Sequence, residues 1–225
     1  MAQRSSSPSR APAPAEAAPE QPTVFIVDDE TVVADSLRWL IEPVGLKVET
    51  FASAAQFLAS YRAGRPGCLV LDVRMPAMSG LTLQEELIAR GIALPIIFIT
   101  GHGGVQTAVR ALQKGAIDFV EKPFDDQRML DLVQRAIALD VERRREVAAH
   151  ADAAARYASL SAREREVLDQ LIEGRTNKEI ARVLGLSAKT VETYRANVMA
   201  KMAAATLPHL VKAVLDMRRA APGRA

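Results

Sequence analysis

The sequence is short of most things that would complicate a fold. It has a single cysteine, Cys68, so no internal disulfide can form, and Cys68 sits in an apolar run that suits a buried core residue. Aromatic residues make up only 4%, with one tryptophan. No apolar stretch approaches the length of a membrane span. The first 21 residues alternate Ala, Pro and Ser without an apolar centre, which excludes a secretory signal and predicts a disordered tail. Cytoplasmic residence with no membrane partner is the expectation. Net charge is only +2 over 225 residues, yet it is unevenly spread. From Arg156 onward thirteen Lys/Arg face seven Asp/Glu, whereas residues 22–155 carry fourteen against eighteen. A basic C-terminal part behind an acidic part points to a polyanion partner for the former.

What is present is alternation. Strand-like runs at Thr23–Val27, Lys47–Phe51, Cys68–Leu71, Pro95–Thr100 and Asp118–Glu121 alternate with helical periodicity at Val32–Ile41, Ala54–Tyr61, Leu81–Arg90 and Val105–Lys114. A further helix follows Phe124-Asp125, with Leu130, Val133, Ile137 and Val141 on one face. This pattern predicts right-handed βαβ units around a five-stranded parallel sheet, doubly wound, with central strands covered on both faces. Glu142-Arg143-Arg144-Arg145-Glu146 and an Ala-rich stretch then extend the last helix as a connector. The rest is helical by signal. Ser161…Glu164 and Thr176…Glu179 fit the capping box, and Gly174 and Gly185 stand where helices should stop. The predicted organisation is a tail (1–21), an α/β domain (22–141), a helical linker (142–158) and a small all-α, four-helix domain (159–221).

The strand ends carry the chemistry. Asp28-Asp29 closes the first run, Asp72 the third, Thr100 the fourth and Glu121-Lys122-Pro123 the fifth. Parallel pairing would gather them at the carboxyl edge of the sheet, where open α/β sheets bind ligands. Each alone reads as a helix cap or loop residue. Together they do not, because like charges about 4 Å apart repel by roughly 4 kcal/mol at an effective dielectric of 20. Clustered carboxylates need a raised pKa or a bound cation. Hard oxygen ligands suit Mg²⁺ or another divalent cation, and one carboxylate could then act as nucleophile toward a phosphoryl group.

Residues 23–141 resemble the receiver domain of bacterial two-component response regulators. The matching elements are Asp28-Asp29-Glu30, Asp72 in Leu-Asp-Val-Arg-Met-Pro, Ser79-Gly80, Thr100-Gly101-His102, Gly115-Ala116-Ile117-Asp118-Phe119 and Glu121-Lys122-Pro123-Phe124. The resemblance implies a flavodoxin-like sheet and phosphoryl transfer to Asp72 from a sensor histidine kinase. It also implies Mg²⁺ held by Asp28, Asp29, Asp72 and the Arg74 main-chain carbonyl, Lys122 on the phosphoryl group before a cis proline bond, and Thr100 and Phe119 as switch residues. Arg74 and His102 fall at positions that tune phosphoryl lifetime in that family.

In the basic part, Asn177 to Val191 has helix-turn-helix spacing. Ala181 is small where two helices cross, Gly185 can take positive φ in the turn, and Val191 anchors the second helix. A helical dimerisation module is the alternative, against which stand the turn spacing and the basic balance. Residues 159–219 resemble the LuxR-type DNA-binding domain, as joined to receivers in FixJ-like regulators. The match runs through Leu160–Leu168, Thr190–Met199 and Lys201-Met202. It implies DNA phosphate contacts at Asn177, Lys178, Lys189, Thr190, Arg195 and Lys201, and base contacts at Glu192 and Thr193. The expected function is therefore a phosphorylation-activated, dimerising transcription regulator with promoter DNA and RNA polymerase as partners. Leu210, Val214 and Met217 of the last helix serve either the dimer or the core. A phosphate-independent regulator is one rival. A phosphohydrolase with an aspartyl nucleophile is another, although Asp72-Val73-Arg74 lacks the second carboxylate two positions on.

Overall fold

The structure, a computed structural model, describes residues 21–101 and 104–220, so the tail and His102 lie outside the described residues. The chain divides after Val141 into two compact units.

In the first unit β1 (Thr23–Val27), β2 (Lys47–Phe51), β3 (Gly67–Asp72), β4 (Ile96–Thr100) and β5 (Asp118–Glu121) form one all-parallel sheet in the order β2-β1-β3-β4-β5. The crossovers are α1 (Thr31–Ile41), α2 (Ala54–Ser60), α3 (Gly80–Ala89) and α4 (Val105–Gln113), with α5 (Asp126–Ala158) following β5. The period of two decides the packing. Phe25, Val27, Leu69, Leu71 and Phe98 enter one core with Phe57 of α2 and Leu83 and Leu87 of α3. Val24, Ile26, Cys68, Val70, Ile97 and Ile99 enter the opposite core with Leu37 and Ile41 of α1 and Met129 and Val133 of α5. β1 and β3 are buried at every position, which explains their unbroken apolar runs. Asp72 counts as the last residue of β3, because the strand pairs Asp72 with Ile99. Cys68 is fully buried, and that burial pushes its thiol pKa up.

The second unit holds α6 (Ala162–Ile172), α7 (Asn177–Leu184), α8 (Ala188–Lys201) and α9 (Leu207–Ala220). Both expected capping boxes form: Ser161 accepts from the Glu164 N–H while Glu164 accepts from the Ser161 N–H, and Thr176 and Glu179 repeat the arrangement. Gly185 ends α7 at φ 66°, a left-handed conformation that costs glycine nothing and so makes the sharp turn into α8. Ile180, Val191, Val198, Leu210 and Val214 fill the core, with Met217 packed against it. The last helix thus uses Leu210, Val214 and Met217 for the core.

Candidate functional site

Parallel register brings the acidic strand ends together. Ile26 pairs with Val70 and Val27 with Leu71, so Asp28 and Asp72 leave adjacent strands side by side. Both are buried, at 1% and 4% exposure. One Asp28 carboxylate oxygen accepts the Glu30 N–H at 2.8 Å, and one Asp72 oxygen accepts the Arg74 N–H at 2.6 Å. The free oxygens face a single cation. Lys122 Nζ lies 2.8 Å from Asp28 Oδ2 and 2.8 Å from Asp72 Oδ1, with Glu30 Oε1 at 3.4 Å. Neither aspartate caps α1, whose N-cap residue Glu30 makes no side-chain cap bond. Helix capping is therefore not their role.

Lys122 is carried there by β5. Thr100 pairs with Glu121, the Lys122 N–H donates to the Thr100 carbonyl at 2.7 Å, and the Lys122–Pro123 bond is cis. Burial raises the Asp28 pKa, and the Lys122 ammonium works against that rise. For Lys122 itself, burial pulls the pKa down, but the two carboxylate hydrogen bonds outweigh it and the value is pushed up to about 12. The pair of acids is thus stabilised by one protonated amine whose own side chain is largely buried.

Close packing fixes Asp72 from behind. Gly80 opens α3, its N–H donates to the Val73 carbonyl at 3.0 Å, and a Cβ there would stand 2.2 Å from the Asp72 carbonyl oxygen. Thr100 is buried at the end of β4, and Phe119 lies across from Phe98 with ring centroids 6.3 Å apart. Asp72, Asp28, Thr100 and Lys122 therefore lie at the same edge of the sheet, with Phe119 on β5, the strand that leads into Lys122.

Asp29 departs from the expected cluster. Its side chain is exposed and joins no hydrogen bond or ion pair with this set. Among the described residues no three His, Cys, Asp or Glu side chains are placed to hold a metal ion. The inward carboxylate oxygens of Asp28 and Asp72 are both engaged by Lys122, and the Asp29 carboxylate stays at the solvent-facing edge of the site. Glu30 was not expected as a partner of Lys122; its place directly after Asp28-Asp29 was the signal available.

The DNA-binding candidates fall into two sets. Lys178, Lys189, Glu192 and Thr193 are exposed on α7 and α8. Thr193 Oγ1 donates to the Lys189 carbonyl at 3.2 Å, and the remaining candidates also have partners within the unit: Arg195 donates to Asn177 at 3.1 Å, the Thr190 N–H bonds Ser187 Oγ at 3.0 Å, and Lys201 Nζ lies 2.7 Å from Glu164 Oε2. Glu164 is 3% exposed, and its pKa is lowered first by Lys201 and then by the Ser161 N–H. Ala196, Asn197 and Ala200 also lie exposed on α8, and sequence reasoning passed over them because two carry no polar group.

Comparison with known proteins settles the family. Residues 24–134 match the response regulator receiver domain, and residues 158–214 match the bacterial regulatory proteins of the luxR family. The chain belongs to the FixJ-like transcriptional response regulators. It is 48% identical over 200 residues to the transcriptional regulatory protein FixJ of Azorhizobium caulinodans, covering 88% of this chain and 93% of that one. Against TdiR of Thauera aromatica the identity is 46%, covering 80% and 79%. Among solved structures, the response regulator StyR shares 44% identity at a TM-score of 0.79, covering 87% of this chain and 98% of that one. Full-length FixJ from B. japonicum shares 40% at 0.56, covering 90% and 100%. A transcription regulator with a receiver and a LuxR-type reader is thus the function class. Among the described residues no helix is long and apolar enough to cross a membrane.

Proposed function

We propose that Asp72 is the phosphoacceptor and that its modification by a sensor histidine kinase controls pairing of the LuxR-type units on promoter DNA. The observation that carries this is the bridge from Lys122 to both Asp28 and Asp72, at 2.8 Å each. A carboxylate held against an ammonium, with its second oxygen fixed by the Arg74 N–H, presents a lone pair outward in one orientation. Attack on phosphorus forms an acyl phosphate and expels the donor's leaving group. Lys122 then has two jobs, countering the phosphoryl charge and still neutralising Asp28.

The donor set of Asp28, Asp72 and the Arg74 carbonyl is all oxygen and fits a hard cation, with Asp29 exposed alongside to complete it. Mg²⁺ bound there would neutralise charge on the transferring group. The added phosphoryl charge draws the Thr100 hydroxyl inward, and Phe119 follows into the space beside Phe98. Moving such an equilibrium from 1:99 to 99:1 takes about 5.5 kcal/mol, which one new charge cluster and a dimer interface together can supply. The dimer would place two α8 helices on half-sites about one helical turn apart and engage RNA polymerase, all in the cytoplasm. Lys178 and Lys189 are the phosphate contacts this reading favours; Asn177, Thr190, Arg195 and Lys201 act partly through the internal bonds they already make.

The chain modifies only itself on this reading. Incubation with Mg²⁺ and acetyl phosphate should add one phosphoryl group per chain, read as a single mass shift that Asp72→Asn abolishes. Rapid multiple turnover of phosphate esters, or unchanged labelling of Asp72→Asn, would overturn the assignment. Promoter activation by Asp72→Asn equal to that of the unmodified chain under signal would favour a phosphate-independent regulator.

A further inference from the structure

The face of α5 that packs on the sheet is apolar until its last place. Met129, Val133 and Ala136 follow one another at helical spacing into the core, and Asp140 comes next on the same face. Asp140 is 0% exposed and, among the described residues of α5, the last that is buried. An apolar side chain would fill that place without taking a carboxylate out of water. Neither phosphoryl transfer to Asp72 nor the binding of DNA makes use of this acid.

Its partner lies at the start of β3. N–H groups two residues apart along a strand point to the same edge. The Leu69 N–H crosses that edge to the Pro95 carbonyl at 2.9 Å, and the ladder with β4 begins there, at the pair Leu69–Ile96. Gly67, two residues earlier and buried, aims its N–H the same way at a level where β4 has not yet begun. The acceptor it meets is Asp140 Oδ2, at 2.9 Å. The backbone closes the opposite edge of the same junction. The Thr23 N–H donates to the Pro66 carbonyl at 3.0 Å, and a Cβ at Gly67 would collide with the Thr23 carbonyl oxygen. Slipping α5 by one residue would turn the carboxylate about 100° away and strand the Gly67 N–H in the core. The bond therefore admits one register of α5 against β3, and fixing a register is the best-attested use of a buried polar group.

Resting on the phosphorylation-controlled reading above, we infer that Asp140 is a positioning residue for signal transfer: its bond to the Gly67 N–H fixes the register in which α5 leaves the sheet, and the gain in DNA affinity that follows phosphorylation depends on that bond. The connector is α5 itself, continued past Asp140 to Ala158. A helix loose at its last buried place would absorb a movement of the first unit in its own slippage and pass less of it on.

Substitution at residue 140 in the full chain tests this. Asp140→Asn keeps an oxygen acceptor, whereas Asp140→Leu and Asp140→Ala keep none; the alanine variant decides the matter where leucine does not fold. Three quantities are measured: exchange of the Gly67 amide, the rate of Asp72 labelling by acetyl phosphate and Mg²⁺, and affinity before and after labelling for a duplex that the wild type selects from a random library. In the two apolar variants the Gly67 amide should exchange about tenfold faster, the worth of one lost buried hydrogen bond. Asp72 should label at the wild-type rate, and the gain in affinity should fall by about fivefold or more. Asp140→Asn should restore most of that gain. Val133→Ala loosens the same helix without touching the anchor, so it should lower stability and keep the gain. The ratio of two affinities measured on one variant cancels any loss of folded protein. A full gain in the apolar variants, an equal loss in Val133→Ala, or no recovery in Asp140→Asn would overturn the assignment. A wild type whose affinity is the same before and after labelling would instead bring down the phosphorylation-controlled reading, and the inference with it.

Discussion

Replacing Lys122 by Met is the most informative perturbation of the first unit. The methionine keeps much of the stem and removes the ammonium that lies 2.8 Å from both Asp28 and Asp72, whose side chains are 0% and 6% exposed. Breaking a buried ion pair by deleting one partner costs roughly 3–5 kcal/mol, because the other charge stays behind unpaired. The lower figure is appropriate here, since Glu30 is no longer drawn in and Asp28 can escape by protonation. Asp28 already has a raised pKa from burial, and it loses the lysine hydrogen bond and charge that held that rise in check. A carboxyl whose folded pKa lies above its unfolded value of 3.8 is tolerated at acid pH and destabilises once pH rises through the folded value. The defect should therefore be about 3 kcal/mol at pH 8 and clearly smaller at pH 5. Hydrogen exchange of β1 and β3 amides, compared with the wild type at the same pH, reads it as opening about a hundredfold more frequent at pH 8. Adding Asp28→Asn should restore most of the loss. A Lys122→Met chain within about 0.5 kcal/mol of the wild type at pH 8, or a defect indifferent to both pH and Asp28, would refute the electrostatic account.

Gly80→Ala forces a Cβ to within 2.2 Å of the Asp72 carbonyl oxygen, so β3 or α3 must shift, and acetyl phosphate labelling of Asp72 should slow at least tenfold while the chain stays folded by circular dichroism. Glu49 has a pKa lowered to about 2, first by the Arg65 hydrogen bonds and then by Lys47. With partly exposed partners this contributes about 1–2 kcal/mol at neutral pH. A depressed carboxyl pKa means that the contribution is present above the unfolded value of 4.5 and is lost as pH falls toward about 2, so the stabilities of Glu49→Gln and the wild type should converge in acid titrations. Lys201→Met should lower the melting temperature of the second unit by stranding Glu164, and Glu164→Gln in the same chain should recover part of it.

The topology was legible because two periods are written cleanly in the sequence. Apolar runs without alternation marked β1 and β3, and capping residues such as Ser161 and Thr176 fixed helix starts to within a residue. The residual errors sit where side-chain pattern and hydrogen bonding part company. Asp72 reads as loop by polarity, yet its backbone still pairs with Ile99, and Gly80 rather than Leu81 begins α3 because Ser79 caps it by accepting from the Thr82 N–H. In the site, the structure places the Asp28 and Asp72 carboxylates around Lys122, with Thr100 reached through its backbone carbonyl, at the strand ends that the sequence pattern marks. That pattern could not foretell that Lys122 would hold both acids while Asp29 faced solvent, since side-chain direction beyond a strand end is settled only in three dimensions. Lys201 shows the same limit from the other side. Its sequence context suggested a phosphate contact, while the buried Glu164 that claims it lies 37 positions away.

The charge balance also explains why a lysine, rather than an arginine, suits this position. The resting pocket holds two carboxylates against one ammonium, an excess of a single negative charge spread toward Glu30 at the rim. A phosphoryl group on Asp72 replaces one carboxylate charge by nearly two and moves it outward by the length of a P–O bond. A compact ammonium on a flexible stem can follow that displacement and keep one hydrogen bond to Asp28, whereas a planar guanidinium would have to give up its paired geometry. The Lys122 N–H is meanwhile bonded to the Thr100 carbonyl, so any backbone adjustment at the end of β5 is felt at the end of β4. Lys122→Arg therefore separates charge from mobility. It should preserve the stability that Lys122→Met loses, yet slow labelling of Asp72 and weaken the gain in DNA affinity that follows it. Equal labelling rates and equal affinity gains for Lys122→Arg and the wild type would show that the pocket needs only a positive charge and not a movable one.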